Sequence, residues 1–478
     1  MATRSEPWRS PQRPARDHCM APGRTTESPV GGGHRYTRMF PDLPHLSIGP
    51  DVLRAVGRAG GACDTRYSRR AESSVAAGWP VFGQFIAHDI TADRSPVTHH
   101  DDAALVRNAR SARLDLESMY GDGPIGNPFL FSRKDPAKML LGLNDQNLAE
   151  DLPRNQEGVA LVGDPRQDVH LLISQMHVAM LKAHNRLVDR LREDGVPEAD
   201  LVSEARRALT WHYQWTVLND FLPTTIGAQR TQRLLHDGPR FFQPTGVVSI
   251  PFEFADAAFR YGHSQMRHAY RVQRGGGELT LFPDLIGFRP VASDRVVDWS
   301  LLFDVHGEPR AARSRPIDGC LPEPLLRLPV DITGELDDQN YESLAVRDLQ
   351  RGVATGLPSG EAVAALVGEE PLRPEEIGLS EFGWSGETPL WYYLLKEAEV
   401  REEGERLGPV GSLIVGEVLL GIVDADPESF RSVEPSWHPT LPSRVPDRFT
   451  LADLLVLHDD HPMPQHLLVD SFGVRTGS

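Results

Sequence analysis

From Leu171 to about Arg192 the chain reads LLISQMHVAMLKAHNRLVDRLR, free of glycine and proline, with Leu172, Met176, Ala179, Met180, Ala183, Leu187 and Leu191 on one stripe. A helix with so continuous an apolar stripe belongs in a core, covered by other helices. A second helix is predicted from Ser203 to about Phe221, ending before Pro223. A third is predicted through FEFADAAFRYGHSQMRHAY, where Phe252, Ala255, Phe259, His263 and Met266 align. GPVGSLIVGEVLLGIVDADPESF and FTLADLLVLH read as late helices on the same body. Strand-like stretches are few: GELTLF, and fragments around Phe242 and Val247 that Gly and Pro interrupt. The predicted fold class is mainly α, a single large helical domain with few short strands.

A chain of 478 residues with 40% hydrophobic content can bury a large core. Its 67 acidic against 50 basic residues give a net charge of −17, which repels nucleic acid and anionic membranes. Cys19, Cys63 and Cys320 lie far apart, with no disulfide framework or zinc spacing. No membrane-length apolar run and no secretory h-region is read, so the expectation is a cytoplasmic protein. Residues 1–35, rich in Arg, Pro, Ser and Gly, are expected to form a disordered tail, and 36–478 the folded domain.

VFGQFIAHDI places Gln84 and His88 on one helix face at i,i+4, with Asp89 next to them. A histidine on an apolar face is, by itself, more often a satisfied core residue than a ligand. GDPR ends in Arg166, just ahead of the long helix, where it could aim a fixed positive charge into the same space. Peroxide cleavage needs such a set: a neutral imidazole to move a proton between the two oxygens, and a donor or cation to stabilise the leaving oxygen. THHDD at 98–102 reads as a surface loop, His184 as a structural hydrogen-bonding residue, GGG at 275–277 as a turn, and Trp211 and Trp215 as core.

GQFIAHD, LDLESMYG, GDPR with HVAMLKAHNRL, RYGHS, LQRGVATGLPSG and TPLWYYLLKEAE occur in that order. In these motifs, from about residue 36 to 475, the chain resembles the animal-type haem peroxidases, in a short bacterial-looking form. The resemblance implies that family's helical fold around a buried haem, and H2O2 with a small-molecule electron donor as substrates. It implies His88 as distal histidine, Gln84 as its neighbour, Arg166 as distal arginine and His263 as the iron ligand. Arg260 and Arg351 become partners of the haem propionates. Asp89, Ser111, Arg113 through its carbonyl, Asp115 and Glu117 become calcium ligands, a hard-oxygen set suited to that ion.

Two departures from the family pattern bear on chemistry. Positions that form haem esters in the mammalian secreted members are Ala87 and Val169 here, and the position of a sulfonium-forming methionine is His170, so haem b is expected to be non-covalent. Asp348 stands where an asparagine usually contacts the proximal histidine, and a carboxylate there lowers the iron potential. Both point to oxidation of phenol-like donors, or of iodide or bromide, rather than chloride. The rivals are a fatty-acid dioxygenase and a tailoring haem oxidase of secondary metabolism. Oxygenases carry a radical-forming tyrosine three residues before the proximal histidine; here that residue is Arg260, with Tyr261 at the wrong offset. Oligomeric state stays open.

Overall fold

The computed structural model describes residues 34–93, 106–334 and 339–457. Most of the predicted tail, Cys19 and the THHDD segment lie outside the described residues. The helices of eight residues or more, numbered in chain order, are α1 Pro50–Gly57, α2 Trp79–Ile90, α3 Leu171–Glu193, α4 Leu201–Thr216, α5 Ala228–Asp237, α6 Leu344–Ala354, α7 Gly360–Val367, α8 Leu390–Glu402 and α9 Pro409–Ala425.

The stripe that predicted α3 is what buries it: Leu172, Met176, Met180, Ala183 and Leu187 are fully covered. His170 opens the helix, its ring accepting from the Leu172 amide, and Arg190 and Arg192 end it, complementing the helix dipole. α3 packs on α4 and on α2, whose Phe82, Phe85 and Ile86 are also fully buried. α9 is apolar nearly all round and lies inside, against α8 and α5. The fold is mainly helical, as expected. Among the described residues no helix is long and apolar enough to cross a membrane.

Three readings need correction. The second helix is regular only to Thr216; a π-helical turn, Val217–Phe221, and a short helix, Leu222–Ile226, carry the chain through Pro223, which has no N–H to continue the ladder. The third is no continuous helix but short pieces, Phe252–Ala255, Ala258–Arg260 and Gly262–Gln265. Ala257 leaves helical geometry at φ −137°, ψ −75°, and the Ala255 carbonyl accepts from Arg260 Nε. Finally, no strand forms around Phe242 and Val247: the Phe241 and Phe242 amides donate to the Glu417 carboxylate of α9 instead of to a ladder. The named strands are two antiparallel pairs, β1 His34–Arg35 with β2 Arg107–Asn108, and β3 Ala269–Tyr270 with β4 Leu279–Thr280 in the GELTLF stretch.

Glu397 of α8 ties the two late helices together, accepting from the Val410 and Gly411 amides at the start of α9. Burial pushes its carboxyl up from 4.5 to about 7. A carboxyl whose folded pKa is raised favours the folded state when protonated, so its contribution is present below pH 4.5 and lost as pH rises to 7. Wild-type stability relative to Glu397→Gln, measured by denaturant unfolding, is expected to fall by about 3 kcal/mol over that interval.

Candidate active site

One deep cavity lies between α2 and the broken 252–265 stretch, with about 1310 Å³ of space including its mouth. Gln84, Ala87 and Thr91 line one wall; Arg260, Tyr261, His263 and Met266 line the other, and Arg351 of α6 closes one end. Val169 and His170, just ahead of α3, also face it. The remaining lining is largely apolar, including Phe254, Phe259, Leu281, Leu328 and Ile332.

On the α2 side the i,i+4 spacing does what helical geometry requires: Gln84 Nε2 lies 3.5 Å from His88 Nε2. His88 is fully buried behind it, outside the residues that line the cavity, with Nδ1 3.5 Å from Gln167 Oε1. Gln167 donates to Ser118 Oγ at 3.1 Å, and Ser118 Oγ donates to Asp89 Oδ1 at 3.1 Å. The polarity of this chain is consistent from end to end. With Nδ1–H donating to Gln167, Nε2 is left as the acceptor on the Gln84 side, the tautomer proton abstraction needs.

Arg166 is not where the sequence suggested. It is buried next to α2 but does not line the cavity. Asp164 opens the 3₁₀ turn Pro165–Asp168 by accepting from the Arg166 amide, and its carboxylate also takes the Arg166 guanidinium at 3.0 Å. Arg166 Nη2 further donates to the carbonyls of His88 at 3.0 Å and Thr91 at 2.5 Å, at the negative end of the α2 dipole. Although burial alone would raise the Asp164 carboxyl, Arg166 and Arg110 hold it below the usual carboxylate range. Here the arginine anchors the end of the helix that carries His88.

The opposite wall is held by a ladder of buried charges. His263 Nδ1 sits 2.7 Å from Asp348 Oδ2; with the proton on Nδ1, Nε2 is the ring's acceptor nitrogen. Arg260 donates to Asp348 Oδ1 at 2.8 Å and to Asp256 Oδ1 at 2.9 Å. Arg351 donates to Asp256 Oδ2 at 3.1 Å and to Asp93 Oδ2 at 2.6 Å. Burial would weaken both guanidiniums as cations; the carboxylates more than reverse this. The two arginines read as propionate partners do face the cavity, but each already spans two carboxylates. Arg351 Nη1 remains buried without a hydrogen-bond partner.

The residues read as a calcium loop come together beside α2. Asp89 accepts from the Leu116 and Ser118 amides at 3.0 and 3.1 Å, amides that converge because Leu116 is left-handed at φ +57°. Asp115 accepts from Ser111 Oγ at 3.2 Å and from the Glu117 amide at 3.0 Å. Glu117 accepts from Arg110 and from the Ser111 amide, both at 3.0 Å, and the Arg113 side chain turns to Asp426 at 3.5 Å. Burial, then the charge of Asp115, raises the Asp89 carboxyl well above its usual range. Among the described residues no group of three or more His, Cys, Asp or Glu forms a metal-binding cluster.

The residues fit a haem. His263 lines the cavity with its Nδ1 held by Asp348, Ala87 and Val169 leave their positions without a carboxylate, and Arg351 Nη1 offers an unused donor. Sequence reasoning missed Asp164, Gln167, Asp256, Asp93 and Ser118. Asp164 stood inside GDPR as a helix-turn cap, and Asp256 lies at i−4 to Arg260, a spacing that signals an ion pair. Tyr261 also lines the cavity; its hydroxyl lies 3.1 Å from Thr225 Oγ. His184 is structural, bridging Tyr120 OH and the Ala137 carbonyl at 2.9 Å each.

Among solved structures, Peroxidase A from Dictyostelium discoideum superposes with a TM-score of 0.64 and 16% identity, over 89% of this chain and 92% of that one. Oryza sativa fatty acid alpha-dioxygenase matches at 0.58 and 15%, over 80% and 73%. The architecture is thus one shared with that peroxidase and that fatty acid alpha-dioxygenase. Residues 98–281, which include Arg166, Arg260 and His263, match the family model described as animal haem peroxidase. It is 26% identical over 298 residues to chorion peroxidase of Drosophila melanogaster, covering 59% of this chain and 34% of that protein. Against heme peroxidase 2 of Caenorhabditis elegans it is 30% identical over 172 residues, covering 32% and 23%. The chain therefore spans about a third of the length of the first of these relatives and about a quarter of the second.

Asp164→Ala strands the buried Arg166 without its carboxylate, and a loss of about 3–5 kcal/mol in unfolding free energy is expected. Asp51→Ala, which removes an exposed partner of Arg54, is expected to change the same measurement by under about 1 kcal/mol.

Proposed function

We propose that the protein is a haem peroxidase that reduces H2O2 and oxidises small phenol-like donors, with iodide and bromide as further donors and chloride outside its range. One observation carries this reading: a buried His88 held between Gln84 and Gln167 behind one wall, and His263 with its Nδ1 tied to a carboxylate on the other. Bound non-covalently, haem b supplies the redox iron on which peroxide is reduced. His263 Nε2 would hold its iron, and Arg260 and Arg351, which line the cavity, would hold its propionates.

The chain's own part begins with His88, whose Nε2 would take a proton from the peroxide and return it to the departing oxygen. Gln84, at the cavity surface, orients the peroxide and its waters. Arg166 acts through α2, holding His88 in register by its carbonyl. Asp348 makes His263 a more electron-donating ligand, which disfavours the strongly oxidising chemistry chloride requires. Calcium on Asp89, Ser111, the Arg113 carbonyl, Asp115 and Glu117 belongs to the same reading, supported by the buried Asp89 carboxyl, whose proton affinity burial and the nearby charge of Asp115 raise. Fatty-acid oxygenation is the weaker alternative, since Arg260 occupies the position three before His263 and the Tyr261 hydroxyl is turned to Thr225.

Addition of one equivalent of H2O2 to the haem-loaded protein is expected to shift its Soret band. His88→Ala should keep the haem but slow this step by about 10²–10⁴-fold, whereas His263→Ala should perturb haem binding and ligation. Acidified organic solvent should extract the haem completely; haem that stays with the polypeptide, or hypochlorous acid formed at neutral pH, contradicts the proposal.

A further inference from the structure

A column of aromatic rings leads away from the cavity. Phe259, on the cavity wall, is 6.1 Å from Phe221, ring centre to ring centre, and Phe221 is 6.2 Å from Trp79. Trp79 meets Phe303 edge to face at 5.3 Å, and Phe303 lies 6.1 Å from Trp299. The approach is close enough to need Gly78, where a Cβ would come within 2.3 Å of the Phe303 ring. Trp79 is also bonded directly to Pro80, a residue of the cavity wall.

The column ends at a second pocket. Trp299 lines it with Lys182, Arg274, Glu308 and Arg444, around about 1040 Å³ of space including the mouth. Lys182 is paired with Glu150, and Arg274 with Asp298 and Glu308. Arg444 has no carboxylate partner among the described residues, and its Nε is buried without a hydrogen bond. Core packing accounts for the phenylalanines. It does not account for the two side chains that give up an electron most readily standing at intervals along the column, with an uncommitted cation beside the outer one. Electron tunnelling falls exponentially with distance, so an indole midway and another at the end divide a long path into short steps.

We propose that Trp299 is an outer oxidation site, taking electrons from aromatic donors that carry a carboxylate or sulfonate, the donor seated in this pocket at the one exposed edge of an otherwise buried indole and its anionic group toward Arg444. It rests on the peroxidase reading, and widens it to donors too bulky for the cavity. H2O2 takes two electrons and two protons and becomes two waters. Each electron leaves Trp299 by way of Trp79 for the peroxide-oxidised cofactor and is replaced from one donor molecule; a phenolic donor sheds its hydroxyl proton to water and departs as a phenoxyl radical. No bond to the protein forms.

The test compares ABTS, a bulky aromatic disulfonate, with guaiacol, a small uncharged phenol, using haem-loaded wild type, Trp299→Phe, Trp299→Tyr and Arg444→Gln. Trp299→Phe should lower kcat/KM for ABTS by about ten-fold and leave guaiacol within about two-fold. Trp299→Tyr, still oxidisable, should recover part of the loss, and Arg444→Gln should raise KM for ABTS with kcat little changed. Electron paramagnetic resonance after rapid freezing with peroxide alone should show an indolyl radical in wild type that Trp299→Phe weakens. A normal Soret response with unchanged ABTS kinetics and radical signal in Trp299→Phe overturns this inference alone, as does equal loss with both donors. A wild-type Soret band indifferent to peroxide overturns the peroxidase reading and this inference with it.

Discussion

The structure depends on the buried ladder that runs from His263 through Asp348, Arg260, Asp256 and Arg351 to Asp93. Its members come from the segment after α2, from the 252–265 stretch and from α6, so one set of ion pairs joins three remote parts of the chain. Buried charges persist only when each is matched closely, and removing one member leaves its neighbour desolvated and uncompensated. The ladder therefore acts as a single unit. It also explains why the 252–265 stretch abandons a helix: Arg260 takes the Ala255 carbonyl and the Asp256 carboxylate, and the chain turns to present His263.

Where fold was legible in the sequence, periodicity and burial agreed. The α3 stripe could be satisfied in only one way, by a long helix, and it was. The 252–265 stretch has the same spacing of apolar residues, yet Phe254 and Phe259 stack on each other at 4.5 Å across a break in the helix. Periodicity counts which residues are apolar; it does not count the polar contacts that compete for backbone groups. The segment around Phe242 failed likewise, because Glu417, remote in sequence, supplied acceptors that a ladder would have provided.

The site shows the same division. Gln84 and His88 were readable because i,i+4 spacing fixes a shared face whatever surrounds it. The direction of Arg166 was not, because it depends on Asp164 and on carbonyls at the end of α2 that only the folded chain brings within reach. Gln167 and Ser118 had no local signature at all. Together they make a hydrogen-bonded line from the loop beside Asp89 to the His88 ring, so the loop's order and the imidazole's orientation are one mechanical problem.

His170 occupies both halves of this protein at once. Its ring faces the cavity, and the same ring accepts the Leu172 amide at 3.3 Å to open the longest helix of the fold. Losing such a cap costs a helix about 1 kcal/mol. Variation at this position is therefore constrained twice over: a side chain that reaches farther toward a cofactor must either keep an acceptor for α3 or begin from a weaker core. The chemistry of the cavity and the stability of the scaffold cannot drift independently there.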